Sequence, residues 1–508
     1  MANTAMTVSR QELSQLKEFQ LHQYSSTDGE PVEYPFAQEF IKTVYHTSKL
    51  ERMAVSSSDK KTTATANREF SCIQNEYVIQ EFPALIAFQQ KGYDVQIAWT
   101  HCLMSSCFPN SSMKIDQETC QTITTHGINI AYQRYCNLQT RDDQKAGMGN
   151  IPIVEEWVTE LPRFVGKLIF PWTHSFDIDK AFPLTLCRLQ SVTYNHEIRN
   201  MIHELIRIRV RPNGSEEWTE LDKIQIKDMI AKGMIQGSGN GTLKPPEFWG
   251  KYILLSEDGL KYLNCQNYYV YHSRDFVEWT SPNPSGYGTS VIIPVTSSLP
   301  LRSVHILAEN VSAKERNNYC NYTTDVSDVY SGFNPISKIS LKYGESPVYT
   351  EMDSLHFDSI FPMLSSVSQA DENGYNMIHF GSNNHRVDGD SSFVLNGIYP
   401  SISVFLEDTN PYLSIENLRN RPKATTVTGD AFAEILSAND KRTSTESKDG
   451  PRFTVYVVGL ISRQIHFIRR KNTTGSVEDV GFYVKVDPRN ASGELLEKDP
   501  ISFYTHDN

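Results

Sequence analysis

Four residues in the first quarter of the chain carry the side chains of a soft-metal site: His101, Cys102, Cys107 and Cys120. A structural zinc site usually draws two donors from one short spacing, such as C-x-x-C, so that a single turn fills half of a tetrahedron. The intervals here match no such spacing. No C-x-x-C pair occurs among the eight cysteines, Cys72, Cys102, Cys107, Cys120, Cys136, Cys187, Cys265 and Cys320. They read as free, mostly buried thiols, with neither a zinc ribbon nor a thioredoxin-like site.

Other chemistries fail on the same kind of test. A cupin metal site needs histidines at i and i+2 on one strand, and none of the 14 histidines has that spacing. His-Glu-x-x-His is absent, as is the Gly-x-Ser-x-Gly nucleophile elbow. The carboxylate pairs Asp177 with Asp179 and Asp388 with Asp390 sit in turn-like contexts and read as solvated turn residues rather than a calcium site. The glycine-rich run Gly237-Ser238-Gly239-Asn240-Gly241-Thr242 has no Lys-Ser/Thr pair after it. Gly166-Lys167 and Gly250-Lys251 are followed by Leu168 and Tyr252, so none of the three is a phosphate loop. Arg469-Arg470-Lys471 is the densest basic cluster in a chain of net charge −12. Coating nucleic acid needs many clustered cations, so no sequence-specific nucleic-acid binding is expected. The residues nominate no catalytic, cofactor-binding or metal site.

The elements that would position such residues are mostly strands. A chain of 508 residues is long enough for two or three domains, and 39% hydrophobic residues can fill their cores. No apolar run reaches the ~18 residues that span a bilayer. The N-terminus lacks a secretory apolar stretch, so the expected product is soluble and made in the cytoplasm. Ser9 to Tyr24 reads as a short helix with Ser9 and Glu12 as its capping box. Alternation predicts strands at Tyr77–Ile79, Tyr93–Trp99, Gly127–Tyr132, Phe164–Phe170, Leu184–Val192 and Ile202–Val210. Leu221–Ile235 is the clearest helix, with Asp222 as cap and Ile226, Met229, Ile230 and Met234 on one face.

The glycine run and Pro245-Pro246 then read as a linker, with the domain boundary there. Strands resume at Lys251–Leu255, Tyr268–Tyr271, Ser290–Val295, Leu301–Ala308, Ile336–Tyr343 and Phe453–Ile468. Arg419 to Arg452 interrupts them with a Thr/Ser/Lys-rich insertion holding one helix around Asp430 to Ser437. Short strands without intervening amphipathic helices exclude a parallel α/β sheet and point to sandwiches or jelly rolls. The stretch Asp371–Asp408 organises the second half: two alternating strands, Tyr375–Phe380 and Ile398–Leu406, joined by a polar loop.

Several of these segments, in order, resemble the double jelly-roll major capsid proteins of the nucleocytoplasmic large DNA virus and virophage lineage. Phe40–Tyr45 resembles their F-x-K-x-V-Y segment; Phe170-Pro171-Trp172 with Ala181–Leu189 is similar to their aromatic run and A-L-P-L-x-A-L strand. Tyr252–Leu255 through Tyr268–Val270 resembles the first strand pair of their second domain. Leu299–Ile306 is similar to their H-P-V-K-E-L-x-W segment, and Val455–Phe467 and the Asp371–Asp408 stretch resemble their last strands. Val387–Phe393 departs from the P-x-G-x-x-N-F-S turn of the larger viruses, which points to a divergent branch most like the Sputnik-type virophages.

The resemblance implies an all-β chain of two consecutive eight-stranded antiparallel jelly rolls, with short helices in the connections. Its parts are an N-terminal arm (1–30), a first jelly roll (31–220), a helix and Gly/Pro linker (221–250), and a second jelly roll (251–508) with an inserted loop near 419–452. It implies a structural protein and no enzyme, with a homotrimer forming a pseudo-hexagonal capsomer that tiles an icosahedral shell. The implied partners are further capsomers and penton and minor capsid or cement proteins; whether a membrane underlies the shell stays open. The implied location is the virion, assembled in a viral factory of the host cytoplasm. Two other readings stay open: a scarce double jelly-roll scaffold or minor capsid protein, and a carbohydrate-binding β-sandwich protein or hydrolase.

Overall fold

The computed structural model describes residues 45–135, 143–149, 152–176, 181–380, 399–408, 451–469 and 482–487, less positions 59, 144, 266, 267, 298 and 366 within them. Sixteen of its strands form one pattern used twice. The first eight are β1 (Tyr45–Arg52), β2 (Lys61–Thr65), β3 (Cys72–Phe82), β4 (Asn110–Ile115), β5 (Glu118–Thr124), β6 (Phe164–Ile169), β7 (Val192–Glu197) and β8 (Glu247–Leu255). They pair as two antiparallel sheets of order β1-β8-β3-β6 and β2-β7-β4-β5. The next eight are β9 (Tyr268–Thr280), β10 (Ser290–Pro294), β11 (Leu301–Asn310), β12 (Ile336–Tyr343), β13 (Ser346–Asp353), β14 (Asn376–His379), β15 (Pro400–Leu406) and β16 (Phe453–Arg469).

Their sheets run β9-β16-β11-β14 and β10-β15-β12-β13. In each half the first strand neighbours the eighth, the third the sixth, and the second the seventh. This is the double Greek-key wiring of a jelly roll, and the chain is a double jelly roll. Ala54–Ser58 extends the second sheet beside β2, and Phe482–Val486 adds to β16. Further short strands sit in the connections of the first half: Tyr93–Trp99 pairs with Ile206–Pro212, and Leu85–Ala87 with Glu160–Leu161 and Ile235–Gln236.

Strand alternation explains how the halves mate. In β11, Val304, Ile306 and Ala308 point into the second jelly roll's own sandwich with Ile339, Val404 and Val457. Leu307, on the opposite face, belongs to a second buried cluster that continues through the first jelly roll to Phe82, Trp99 and Phe170. All ten residues of β11 are therefore buried. One face of the β9-β16-β11-β14 sheet lines its own core and the other covers the first jelly roll.

Four expectations are corrected. Gly127–Tyr132 is helical, Thr125–Ile130 followed by a π-helical turn Ala131–Tyr135. The Thr124 hydroxyl accepts the Gly127 N–H at 3.2 Å as an N-cap, and every residue from Thr125 to Tyr135 is buried, so polarity gives no period to read. Leu184–Val192 opens with a 3-10 turn at Leu184–Cys187, because the Thr185 N–H and hydroxyl both go to the Ser71 carbonyl instead of to a strand partner. Ile202–Val210 likewise begins with a 3-10 turn at Ile202–Glu204, its strand covering Ile206–Pro212.

The fourth concerns the boundary. Lys251–Leu255 does not open the second half; it ends β8, a central strand in which Tyr252 lies opposite Lys49 on one side and Ile73 on the other. A helix, Glu257–Cys265, follows it. The helix and glycine run before it thus lie inside the first jelly roll's last connection, and the second jelly roll starts at Tyr268. The helix itself spans Lys223–Ala231, and Asp222 with Gln225 forms a full capping box. Ser9–Tyr24, Phe40–Val44 and most of Arg419–Arg452, with Asp430–Ser437, lie outside the described residues.

Candidate functional site: the buried seam between the jelly rolls

The residues that stand out chemically gather where the two jelly rolls meet. The first knot surrounds His101, just beyond Tyr93–Trp99. Its Nδ1 lies 2.8 Å from Glu155 Oε1 and its Nε2 lies 3.1 Å from Glu372 Oε2, across a sequence separation of 271 residues. Gln133 Nε2 donates to the other Glu372 oxygen at 3.0 Å, and the Tyr330 hydroxyl donates to Glu155 at 3.3 Å. Burial alone would strip the proton from His101, but the carboxylates on both its nitrogens outweigh this and hold it well above the ordinary imidazole range. Burial pushes Glu372 up, and the His101 charge more than reverses this, leaving it below the usual carboxylate range.

A second knot is Arg134, in the π-helical turn of the first half and wholly buried. Its guanidinium donates to the carbonyls of Ser368 (3.1 Å), Asp358 (3.0 Å) and Tyr375, and reaches Asp358 Oδ1 at 3.3 Å. The Ser368 N–H returns a bond to the Arg134 carbonyl at 3.1 Å. Beside it the Tyr135 hydroxyl lies 2.9 Å from both Ser303 Oγ and His305 Nε2 on the outer face of β11. Burial, then the Arg134 charge, keeps His305 neutral.

The third knot joins β5 to β9. The Thr122 N–H donates to Asp275 Oδ1 at 2.6 Å, Thr124 Oγ1 to Glu278 at 2.9 Å, and the Arg274 N–H to Thr173 Oγ1 at 2.8 Å. Arg463 of β16 pairs with Asp275 at 2.8 Å and with Asp487 at 3.3 Å. Burial lifts the Asp275 carboxyl to about 6, with Arg463 and the Thr122 N–H pulling it back. Because the folded value lies above the ordinary 3.8, the protonated form is the better accommodated. The stability tied to this group is complete at acidic pH and is lost as the pH climbs through about 6. The difference in unfolding free energy between the wild-type chain and Asp275→Asn should therefore move by roughly 2–3 kcal/mol between neutral pH and pH ~4, in favour of wild type on acidification. Paired urea titrations at the two pH values measure it, and a pH-independent difference would contradict it.

Each buried charge is satisfied by one geometry of its neighbour, so the knots fix the angle between two sandwiches that apolar contact alone would let slide. The structure also redistributes the residues singled out by type. His101 and Cys102 come together, but with Glu372 and Cys320 rather than with Cys107 and Cys120. Cys107 ends the short helix Leu103–Cys107, and Cys120 lies in β5 within the first half. Cys72, Cys102, Cys107, Cys120, Cys187 and Cys320 are buried and form no disulfide, and burial pushes the thiols of Cys72 and Cys107 up to about 12. Gly166-Lys167 and Gly250-Lys251 lie within β6 and β8. Arg469 ends β16, donating to the Asn264 carbonyl at 2.7 Å; Arg470, Lys471, Asp177, Asp179, Asp388 and Asp390 lie outside the described residues. Sequence reasoning missed Glu155, Arg134, Glu372 and Asp275 as partners, since each acts across more than fifty positions of sequence.

No protein-family model and no curated protein matches the sequence. Solved structures do match in three dimensions. The PBCV-1 virus capsid superposes with a TM-score of 0.57 at 10% identity, covering 84% of this chain and 97% of that one. The Faustovirus major capsid protein gives 0.58 at 6% identity over 90% of this chain and 98% of its own. The Sputnik virophage structure gives 0.51 at 9% identity, over 92% and 94%. These superpositions establish a shared fold along nearly the full length of each partner, and at such low identities they establish the fold alone.

Proposed function

We propose that this chain is a major capsid protein whose activity is self-assembly: three copies form a pseudo-hexagonal capsomer, and capsomers tile an icosahedral shell. The observation that carries the reading is the strand order found twice in one chain, locked into one body by the seam. A threefold axis acting on two like lobes generates six, which is the symmetry a hexagonal tile needs. The similarity to the PBCV-1, Faustovirus and Sputnik structures supports it. On this reading the location is the virion, assembly takes place in the host cytoplasm, and the partners include penton and minor capsid proteins. The virophage branch remains our preferred placement, on the divergent Val387–Phe393 turn. The chain's energetics then rest on buried contact area and call for no chemical step.

The helical segment between β13 and β14 offers a subunit contact. Leu355, Met363 and Leu364 are 59%, 72% and 72% exposed, a level of apolar exposure that favours burial by a neighbouring copy. Light scattering on the purified chain should give three times the 57.8 kDa chain mass. A stable monomer at every concentration would sink the proposal. Met363→Asp with Leu364→Asp should weaken the trimer roughly tenfold or more, since each buried charge costs well over the ~1.4 kcal/mol of a tenfold change. An unchanged trimer would place the contact elsewhere.

A further inference from the structure

The seam holds one cluster that its structural role leaves unexplained. His101, Cys102 and Glu372 present an imidazole nitrogen, a thiol and a carboxylate oxygen that all lie within 4.8 Å of one another. The Cys320 thiol lies against that of Cys102. All four residues are at most 6% exposed. His101 and Cys102 come from the first jelly roll, Cys320 and Glu372 from the second.

Three features distinguish this from a chance meeting of polar side chains. Both cysteines adopt left-handed backbone, φ +52° at Cys102 and +57° at Cys320. That conformation is strained for a residue with a side chain and tends to persist at functional sites. His101 Nδ1 is held by Glu155 at 2.8 Å, the outer carboxylate that commonly orients a metal-binding imidazole and leaves Nε2 for the ion. Gln133 donates to one oxygen of Glu372, and the other lies 3.1 Å from His101 Nε2 with the Tyr375 hydroxyl at 3.5 Å. The Cys102 sulfur, the His101 nitrogen and a Glu372 oxygen, joined on binding by the neighbouring Cys320 sulfur as a fourth donor, form a set suited to a tetrahedral, borderline-soft divalent ion.

We propose that His101, Cys102, Cys320 and Glu372 form a zinc site that staples the two jelly rolls together. Binding displaces the Cys102 and Cys320 thiol protons and the Nε2 proton of His101, while Nδ1–H continues to donate to Glu155. The site lies wholly within one chain, so it stands or falls independently of the trimer.

The test is cobalt titration of the full, chelator-stripped chain under reductant, read by absorption, followed by displacement with zinc. One equivalent per chain is expected, with a sulfur-to-cobalt charge-transfer band and tetrahedral d–d bands. Cys102→Ser or Cys320→Ser should abolish the charge-transfer signal or halve it, and Cys107→Ser should leave it intact. Should the serine variants fail to fold, Glu372→Gln keeps the shape and the Gln133 hydrogen bond, and it must still weaken cobalt binding at least tenfold. No stoichiometric uptake by the wild-type chain overturns the proposal. So do bands that survive both serine substitutions, or cobalt binding that Glu372→Gln leaves unchanged.

Discussion

Arg134→Ala should lower the unfolding free energy by about 3–5 kcal/mol, a large part of the ~5–15 kcal/mol that holds a typical domain together. The substitution leaves the carbonyls of Asp358, Ser368 and Tyr375 and the Asp358 carboxylate facing an emptied cavity, where each had been satisfied by one guanidinium. An unsatisfied buried acceptor costs about 1–3 kcal/mol. Asp358 is partly open to water, which keeps the total below the plain sum. Because those acceptors belong to the second jelly roll and the guanidinium to the first, the damage concentrates at the seam. Urea unfolding followed by tryptophan fluorescence should show an earlier midpoint and a transition split in two as the halves uncouple. A single transition at the wild-type midpoint would show that the seam does not depend on this clamp.

Gly374→Ala should cost about 4 kcal/mol, with two sources that can be separated. Gly374 has φ +91°, where a side chain is strained by about 1–3 kcal/mol. A β-carbon there would also stand 2.3 Å from the Tyr322 carbonyl oxygen, which is backbone and has nowhere to go. Displacing it disturbs the edge-on contact of Tyr322 with Tyr375 and its 2.7 Å hydrogen bond to His126, an overpacking penalty of similar size. Gly214 is the matched control: its φ is +87°, but nothing lies within 4 Å of its would-be β-carbon. Gly214→Ala should therefore lose only the backbone contribution, about 1 kcal/mol. Thermal melting of the two variants reads the difference, and equal losses would contradict the close-approach argument.

These residues show what the sequence could and could not announce. Strands with one wet and one dry face were legible: Tyr93–Trp99 lies where alternation puts it, and Phe164–Ile169 within one residue of it. The Asp222 cap was legible because a capping box is local chemistry. The jelly-roll class followed from short strands without helices between them, and the capsid likeness from loose motifs in the right order. Strand neighbours were not legible. β8 and β9 adjoin in sequence yet belong to different jelly rolls, and β14 and β15, read as a joined pair, lie in different sheets. Only long-range pairing decides such matters, and no local residue choice records it.

The seam was hidden for a related reason. Ser303, His305 and Glu309 of β11 alternate with apolar residues as a solvated face would, yet they are buried against the first jelly roll. A polar face satisfied by a second body looks, in sequence, the same as one satisfied by water. His101 and Cys102 attracted notice as candidate ligands, but their nearest companions in sequence, Cys107 and Cys120, were the wrong ones. The partners the fold supplies, Cys320 and Glu372, lie more than two hundred positions away.

One chain supplies two like lobes, so three chains should make a six-lobed tile. Negative-stain class averages of the purified protein test it most directly. The averages should show a hexagonal face-on outline with six similar densities and threefold symmetry on closer averaging. A field of single two-lobed particles, or closed rings of any other order, would contradict it.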